Sequence, residues 1–222
     1  MFIWIAGTID EVTEAAHTGL VNAVVTNPTV ISQWTSEGGS LEEVLADVTS
    51  KIDIPVFVQL YGPDKNTFLA ETEHLIKISD NIRPKLPATI DGIAATKELR
   101  SLNVFSLVTT VCTIGHAYAA AVAGAYAICP YVARMNDYDN SAEELLMSVS
   151  RMYRRHDIDT EIIPASVRTI DDVNMCLKSG CHGVIIFYDL FQSLFEHPVL
   201  KESLNGFEKN WKSIRYSFHQ NK

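Results

Sequence analysis

The segment Phe-Ile-Trp-Ile-Ala (residues 2–6) is a short β-rich run, and Thr8-x-x-Glu11 follows it directly. The second pattern is typical of a helix start, because each side chain can satisfy a backbone N–H that the first helical turn leaves unpaired. The same order of strand and helix patterns recurs along the chain. The eight predicted strands are Phe2–Ala6, Ala23–Asn27, Pro55–Leu60, Ile82–Leu86, Val104–Thr109, Ala127–Val132, Glu161–Ser166 and Gly183–Tyr188.

Further helix signals lie between these strands. Ser40-x-x-Glu43 and Ser141-x-x-Glu144 repeat the capping pattern, and Gly180 follows a helical pattern as a C-terminal cap would. An open flavodoxin-like sheet would need only about five or six strands, and no glycine-rich phosphate-binding turn follows the first strand. Eight βα units in 222 residues therefore predict one α/β domain, a closed (β/α)₈ or TIM barrel, over residues 1–198.

Residues 199–222 form a tail beyond the eighth unit. The stretch from about Val199 to Phe218 has apolar residues at helical spacing and predicts an additional amphipathic helix. Such a helix could cover the flank of its own barrel or pack on a neighbouring subunit. Its apolar positions are Leu200, Leu204, Phe207, Trp211 and Ile214.

Composition excludes several classes of protein. The chain is 47% hydrophobic and 20% charged, and no apolar run approaches the roughly 18 residues that span a bilayer. The first residues lack the basic region and cleavage pattern of a signal peptide, so we expect a cytoplasmic protein without membrane partners. The net charge of −9 and the lack of a basic stripe argue against nucleic-acid binding. The scattered cysteines, without a CxxC pair, predict buried thiols and neither a disulfide nor a metal site: Cys112, Cys129, Cys176 and Cys181.

One lysine is out of place in this pattern. Of the ten lysines, only Lys85 falls within a predicted strand, near the C-terminal strand ends where barrel enzymes carry their catalytic groups. A buried lysine has a lowered pKa and presents a free amine, which can attack a carbonyl to form a Schiff base. The alternative is a lysine that reaches solvent or pairs with a carboxylate. Polar residues at the predicted strand ends are Asn27, Gln59, Lys85, Thr109, Tyr131, Arg134, Ser166 and Arg168.

Several ordered motifs carry a resemblance to a known family. They are Val-Thr-Asn-Pro-Thr (25–29), Val-Phe-Val-Gln (56–59), Pro-Lys-Leu-Pro (84–87), Pro-Tyr-Val-Ala-Arg (130–134), Pro-Ala-Ser-Val-Arg-Thr (164–169) and Phe-Glu-Lys-Asn-Trp (207–211). Together these segments resemble the small transaldolase family of class I aldolases, and most of all its fructose-6-phosphate aldolase branch. The resemblance runs from the first strand to the tail.

The resemblance implies carbohydrate chemistry, related to the pentose phosphate pathway, that needs no metal or other cofactor. Lys85 matches the Schiff-base lysine and Tyr131 the acid/base tyrosine of the aldolase branch, and Gln59 with Thr109 match the pair that holds a catalytic water. Asn27 matches a residue that contacts the donor hydroxyls. The positions near the acceptor phosphate are matched by Arg134, Ser166 and Arg168. The family also implies a homo-oligomer joined through the C-terminal helix.

Two positions bear on the reaction type. Similar true transaldolases carry Glu where Gln59 stands and Phe where Tyr131 stands, so the pair favours an aldolase that cleaves fructose 6-phosphate to dihydroxyacetone and glyceraldehyde 3-phosphate, or adds them in reverse. One alternative is a true transaldolase that moves a dihydroxyacetone unit between sugar phosphates. Another is a barrel that binds sugar phosphate but has weakened catalysis.

Departures from the family motivate that last alternative. The family has an aspartate at the end of strand one, where this chain has Ala6. Arg83 lies two residues before Lys85 and so shares its strand face, which leaves it either at the open bottom of the barrel or close enough to lower the pKa of Lys85 further. Pro84 removes a backbone donor from a strand that is predicted to be central.

Overall fold

The computed structural model describes residues 1–36, 38–138 and 141–214. Its eight strands are β1 (Phe2–Ala6), β2 (Ala23–Val25), β3 (Val56–Gln59), β4 (Ile82–Pro87), β5 (Leu107–Val111), β6 (Ala127–Pro130), β7 (Glu161–Ile162) and β8 (Gly183–Phe187). The helices are α1 (Ile9–His17), α2 (Pro28–Trp34), α3 (Leu41–Lys51), α4 (Lys65–Leu75), α5 (Ile90–Ser101), α6 (Ile114–Val122), α7 (Ala133–Asn136), α8 (Ala142–Arg155), α9 (Ile170–Lys178), α10 (Tyr188–Ser193) and α11 (Pro198–Trp211).

The strands form one parallel sheet that curls into a barrel. Their order is β7-β6-β5-β4-β3-β2-β1-β8, so β7 and β8 are the two edges. Two backbone hydrogen bonds join those edges, from His182 N–H to the Ile162 carbonyl (2.9 Å) and from Ile185 N–H to the Pro164 carbonyl (2.8 Å). The predicted (β/α)₈ barrel is therefore confirmed, and it closes through a short seam between the β7 and β8 edges.

Alternation along the strands divides the core into two layers. Side chains such as Ile5, Val24 and Val58 point outward and pack beneath the helices. Their neighbours along the same strands, such as Trp4 and Phe57, point inward and fill the barrel. This division follows from the period of two in a β-strand, which places every second residue on one face.

The predicted helix starts are present. Thr8 with Glu11 and Ser40 with Glu43 form complete capping boxes, and the Ser141 side chain accepts the Glu144 N–H at the start of α8. Gly180 follows α9 with φ of +84°, a conformation that glycine adopts at little cost.

Seven of the eight predicted strands have bounds that differ from the observed ones, and two of them differ most. The fifth is shifted to Leu107–Val111 and is interrupted by a bulge, where Thr110 has φ of +57°. The seventh is shortened to Glu161–Ile162, after which only a single Tyr131–Ala165 bridge continues the pairing. Ser166 then leaves the extended conformation with φ of +58°. Apolar runs with β-branched residues do not reveal such local turns.

Pro84 fits a central strand because of the direction in which its nitrogen points. The carbonyls of Asn81 and Lys85 point towards β3. Because the backbone groups of successive residues point to alternate sides of a strand, those of Pro84 point towards β5. Pairing with β5 begins only at Lys85, opposite Leu107. The missing N–H of Pro84 therefore falls before that ladder.

The C-terminal helix α11 confirms the predicted additional helix over the part that is described. None of its residues is buried, and its apolar side chains lie exposed. The last predicted turn, residues 215–218, and the rest of the tail to residue 222 lie outside the described residues. Among the described helices, none combines the length and apolar character needed to cross a membrane.

Candidate active site

A cavity of about 540 Å³ opens at the C-terminal mouth of the barrel. Seven of the eight predicted strand-end residues line it, and the eighth, Thr109, is buried beneath it. The seven are Asn27, Gln59, Lys85, Tyr131, Arg134, Ser166 and Arg168. The structure thus brings residues that lie up to 141 positions apart in the sequence into one site.

Lys85 lines this cavity and is only 5% exposed. Its Nζ donates a hydrogen bond of 2.7 Å to the Thr26 carbonyl, and no carboxylate lies within ion-pair distance of it among the described residues. Burial lowers the pKa of Lys85; the Cys129 thiol opposes that change and the Arg134 guanidinium adds to it. A neutral amine is therefore favoured at a lower pH than in an ordinary lysine.

A hydrogen-bond network fixes the wall beside this amine. The Thr26 hydroxyl donates to the Phe57 carbonyl and accepts the Gln59 N–H, which ties β2 to β3. The Gln59 amide nitrogen donates to the carbonyls of Leu60 and Lys85 at 3.1 and 3.2 Å. These bonds leave the Gln59 amide oxygen as the acceptor that can face the cavity.

Asn27 lies where β2 leads into α2. Its Oδ1 caps the helix by accepting the Val30 N–H at 3.0 Å, and Pro28 occupies the first helical turn. With its oxygen engaged in the cap, Asn27 has its amide N–H groups available as donors toward the cavity.

Tyr131 and Arg134 form one side of the cavity. The Arg134 guanidinium carbon lies 5.0 Å from the centre of the Tyr131 ring, a cation–π arrangement. Burial raises the pKa of the Tyr131 hydroxyl, the Cys129 thiol raises it further, and Thr109 and Arg134 oppose the rise. Tyr131 therefore carries its proton at neutral pH and can serve as an acid.

Thr109 is 1% exposed, and its Oγ1 makes no hydrogen bond of good geometry within the described part of the chain. It nevertheless lies close enough to Tyr131 and Cys129 to oppose the rise in the pKa of both. A buried hydroxyl without a firm partner is costly, and a water molecule held between polar groups would satisfy it.

Ser166 and Arg168 form the neighbouring part of the rim, since the Ala133 N–H donates to the Ser166 carbonyl. Ser166 has φ of +58°, an uncommon conformation for serine that directs this loop toward the cavity. Arg168 is exposed and lies 3.5 Å from the Asp137 carboxylate. Together with Arg134, these groups supply two guanidinium cations and a hydroxyl, the donors that bind phosphate oxygens well.

The lining of the cavity contains no aspartate or glutamate among the residues that the structure describes. Ala6 is part of that lining and is 3% exposed, so the position for which the resemblance suggests a carboxylate carries only a methyl group. Nor do the described residues contain a group of three or more potential metal ligands.

Arg83 lies at the other end of the barrel. It lines a separate cavity of about 260 Å³ at the N-terminal mouth, and its guanidinium donates to the carbonyls of Asp80 and Ile82. The cation that lowers the pKa of Lys85 is Arg134. Of the two alternatives for Arg83, the open bottom of the barrel is therefore the one that the structure has.

Sequence reasoning missed two residues of this site. Thr26 orients the amine through a backbone carbonyl, which no side-chain pattern reveals. Cys129 was predicted only to be a buried thiol, yet it lies inside the barrel beside reactive groups. Its position two residues before Tyr131 on the same predicted strand is the signal that could have identified it. All four cysteines are free; Cys112, predicted to be buried, is partly exposed.

The fold and the site together define a class: a (β/α)₈ barrel with a desolvated amine at its C-terminal mouth, surrounded by hydroxyl, amide and guanidinium donors. Such an amine suits covalent chemistry on carbonyl compounds. A family model described as transaldolase/fructose-6-phosphate aldolase matches residues 6–221, and the chain belongs to this family. Family membership supports an enzyme of the class I aldolase/transaldolase type.

Individual relatives agree with this assignment. A probable transaldolase of Phenylobacterium zucineum is 34% identical over 198 residues, covering 89% of this chain and 90% of its own. A probable transaldolase of Carboxydothermus hydrogenoformans is 32% identical over 207 residues, covering 93% and 95%. Among solved structures, thiamine phosphate pyrophosphorylase from Pyrococcus furiosus matches with a TM-score of 0.56 at 15% identity over 84% of this chain and 85% of its own, which shows a shared fold.

Proposed function

We propose that this chain is a Schiff-base aldolase that cleaves ketose phosphates, with fructose 6-phosphate giving dihydroxyacetone and glyceraldehyde 3-phosphate, or that catalyses the reverse addition. The observation that carries the proposal is the amine of Lys85: it is buried, unpaired with any described carboxylate, and located at a cavity of suitable size. A neutral amine there can attack the ketose carbonyl, and the resulting protonated imine accepts electrons when the carbon–carbon bond breaks.

The surrounding groups support specific roles in this reaction. Tyr131, which keeps its proton at neutral pH, would protonate and deprotonate the hydroxyl oxygen at the bond that breaks. The acceptor oxygen of Gln59 and the unpartnered hydroxyl of Thr109 would hold the water used in imine formation and hydrolysis. The amide N–H groups of Asn27 would bind the donor hydroxyls.

Binding of the phosphate is proposed for the part of the rim formed by Arg134, Ser166 and Arg168. Two guanidinium groups and a hydroxyl, those of Arg134, Arg168 and Ser166, line the same cavity as the amine. Charge-assisted hydrogen bonds of this kind favour a phosphate dianion over a neutral group. The amine and the cations would thus bind the two ends of a sugar phosphate.

Trapping with borohydride tests the covalent step. The protein is incubated with dihydroxyacetone or fructose 6-phosphate, reduced, digested and mapped by mass spectrometry. We expect a reduced adduct on Lys85 and on no other lysine. A folded sample that carries no adduct on Lys85 would contradict the proposal and would favour a sugar-phosphate-binding barrel with weakened catalysis, for which Ala6 is the supporting observation.

The choice between aldolase and transaldolase needs a separate assay. Gln59 and Tyr131 support the aldolase, whereas the relatives bear the name transaldolase. We expect fructose 6-phosphate to release free dihydroxyacetone without an acceptor. Turnover that requires erythrose 4-phosphate would instead establish a true transaldolase.

We also propose that a second copy of this chain covers α11. The helix buries none of its residues, and Leu204 and Phe207 are 54% and 65% exposed on it. Size-exclusion chromatography of the double variant Leu204→Glu/Phe207→Glu is expected to show a smaller species than the unchanged protein. Val122→Glu, at a residue that is 62% exposed on α6, is the matched control and should elute like the unchanged protein. Identical elution of the double variant would contradict this contact.

A further inference from the structure

Cys129 occupies a position inside the barrel that the proposed function does not use. It is fully buried on β6, at an inward position two residues before Tyr131, and it pairs in register with Thr109 on β5. Lys85 pairs with Leu107, and Leu107 with Ala127, so Cys129 is the next inward residue above the level of the Lys85 backbone. The lysine side chain runs in that same direction to reach Thr26 at the end of β2.

Imine formation at Lys85 poses a proton-transfer problem in this cavity. The nitrogen must lose protons and the departing hydroxyl must gain one, yet neither a carboxylate nor an imidazole lines the cavity among the described residues. Two described side chains carry an exchangeable proton on a group that can ionise: Tyr131, which lines the same cavity, and Cys129, whose thiol interacts with the amine. Tyr131 is already required at the other end of the reaction, at the hydroxyl whose carbon–carbon bond breaks.

Charges around the thiol favour such a role. Burial raises the pKa of Cys129, Lys85 and Thr109 lower it, and Cys112 raises it. A cation at the lysine nitrogen thus stabilises the thiolate. The unpartnered hydroxyl of Thr109, which is 1% exposed and opposite in register, is a donor that can stabilise the same thiolate.

We propose that Cys129 supplies the proton that the departing hydroxyl of the Lys85 adduct needs during imine formation, the task for which the described lining of the cavity holds no carboxylate. This inference rests on the proposed function. The neutral amine adds to the ketose carbonyl, and a proton moves from nitrogen to the new oxyanion to give a carbinolamine. The thiol then protonates the hydroxyl, the C–O bond breaks, the nitrogen lone pair forms the C=N bond, and water leaves. The products are a protonated imine and a thiolate, which balance in charge and protons.

The rate of adduct formation tests the proposal. The unchanged protein, Cys129→Ala, Cys129→Ser and Cys176→Ala are mixed with dihydroxyacetone, quenched with borohydride at successive times and quantified by mass spectrometry across the neutral and mildly alkaline range. Loss of the thiol is expected to slow adduct formation by about 10²-fold, the lower end of what acid–base assistance contributes. The adduct on Lys85 should still form eventually, because the nucleophile remains.

The serine variant keeps the protein folded if alanine leaves too large a void, and it separates ionisation from packing. Serine nearly preserves size and hydrogen bonding but does not ionise in this range, so it should be as slow as alanine and should lose the same limb of the pH profile. Cys176 on α9 is an equally buried thiol whose pKa burial raises to about 12, and its alanine variant should match the unchanged protein.

Ultraviolet absorbance of the thiolate gives a second reading. Addition of dihydroxyacetone should produce a thiolate signal in the unchanged protein and in Cys176→Ala, and none in either Cys129 variant. An adduct that forms equally fast without the thiol, or a serine variant with full rate, would overturn the role of Cys129 and leave the aldolase proposal intact. Absence of any Lys85 adduct in the unchanged protein would overturn both.

Discussion

Strand β4 carries two basic side chains on one face, and they lie in different environments at the two ends of the barrel. Lys85 points to the C-terminal mouth, where it is 5% exposed and is held by the Thr26 carbonyl. Arg83, two residues earlier, points to the N-terminal mouth and donates to backbone carbonyls. It lies next to a layer of inward-pointing aromatic side chains, called the aromatic floor below. Trp4 and Phe57 stack there with ring centres 4.8 Å apart. One face of one strand thus yields a desolvated amine and a solvated cation, because the aromatic layer separates them.

Removal of the amine should give the largest effect. Lys85→Met is expected to abolish the borohydride adduct and to lower turnover by about 10³-fold or more, since covalent catalysis is lost. Arg83→Met should keep turnover within about threefold, because surface changes away from a site have small effects. The sharpest control is Arg83→Lys, which places a lysine on the same strand face; it should form no adduct at position 83, where the amine is solvated.

The Lys85→Met change that lowers turnover is expected to raise the stability of the folded protein. Burial lowers the pKa of Lys85, so between that lowered value and about 10.4 the unfolded chain binds more protons than the folded one, and stability rises with pH. The Met variant lacks this term, so we expect it to be more stable than the unchanged protein at neutral pH, with the difference shrinking as the pH rises towards about 10.4. Denaturant unfolding at two pH values measures both. A Met variant with a lower free energy of unfolding would show that Lys85 stabilises the fold as a charged group. That result would contradict the contrast between Lys85 and Arg83.

The aromatic floor itself should matter for folding and little for chemistry. Trp4 is 2% exposed, and Trp4→Ala should reduce the free energy of unfolding by about 3–5 kcal/mol through lost burial and a void. At temperatures where the variant stays folded, the Lys85 adduct should form at close to the normal rate. Tyr61→Ala, at a residue that is 89% exposed, is the control and should change stability by less than about 0.5 kcal/mol. Loss of the adduct in a folded Trp4→Ala sample would mean that floor and site are coupled.

The sequence alone predicts the fold of this chain because short β-rich runs, each followed by a helical pattern, recur eight times, and each signal is local. It also predicts which residues reach the upper cavity, since strand ends meet there. It does not predict the bulge at Thr110 or the turn at Ser166, which depend on how neighbouring strands close the barrel. Nor does it reveal the Thr26 carbonyl that holds Lys85, or whether Arg83 faces up or down, because these depend on three-dimensional packing across strands.

A carboxylate placed beside the amine of Lys85 is expected to have a smaller effect on turnover than removal of the amine. Ala6→Asp adds a proton-transfer group to a cavity that lacks one, and we expect it to raise turnover of the unchanged protein by a small factor. In the Cys129→Ala background the same change should raise turnover by about tenfold, because the carboxylate then has no competing thiol. Ala6→Ser, which cannot ionise in this range, is the matched control. No gain in the Cys129→Ala background would show that proton transfer at Lys85 does not limit the reaction.

The smallest expected effect concerns the exposed cation of the upper rim. Arg168 lies 3.5 Å from Asp137, and both side chains are more than half exposed, so this pair contributes at most about 1 kcal/mol. Asp137→Asn frees Arg168 for phosphate and should lower KM for fructose 6-phosphate by about two- to fivefold, with kcat unchanged and the gain fading at high salt. The KM for dihydroxyacetone, which has no phosphate, is the internal control and should stay constant. If the KM values for fructose 6-phosphate and dihydroxyacetone change together, Asp137 affects the shape of the cavity. The cations at the C-terminal mouth would then not bind phosphate, and this difference from Arg83 would be lost.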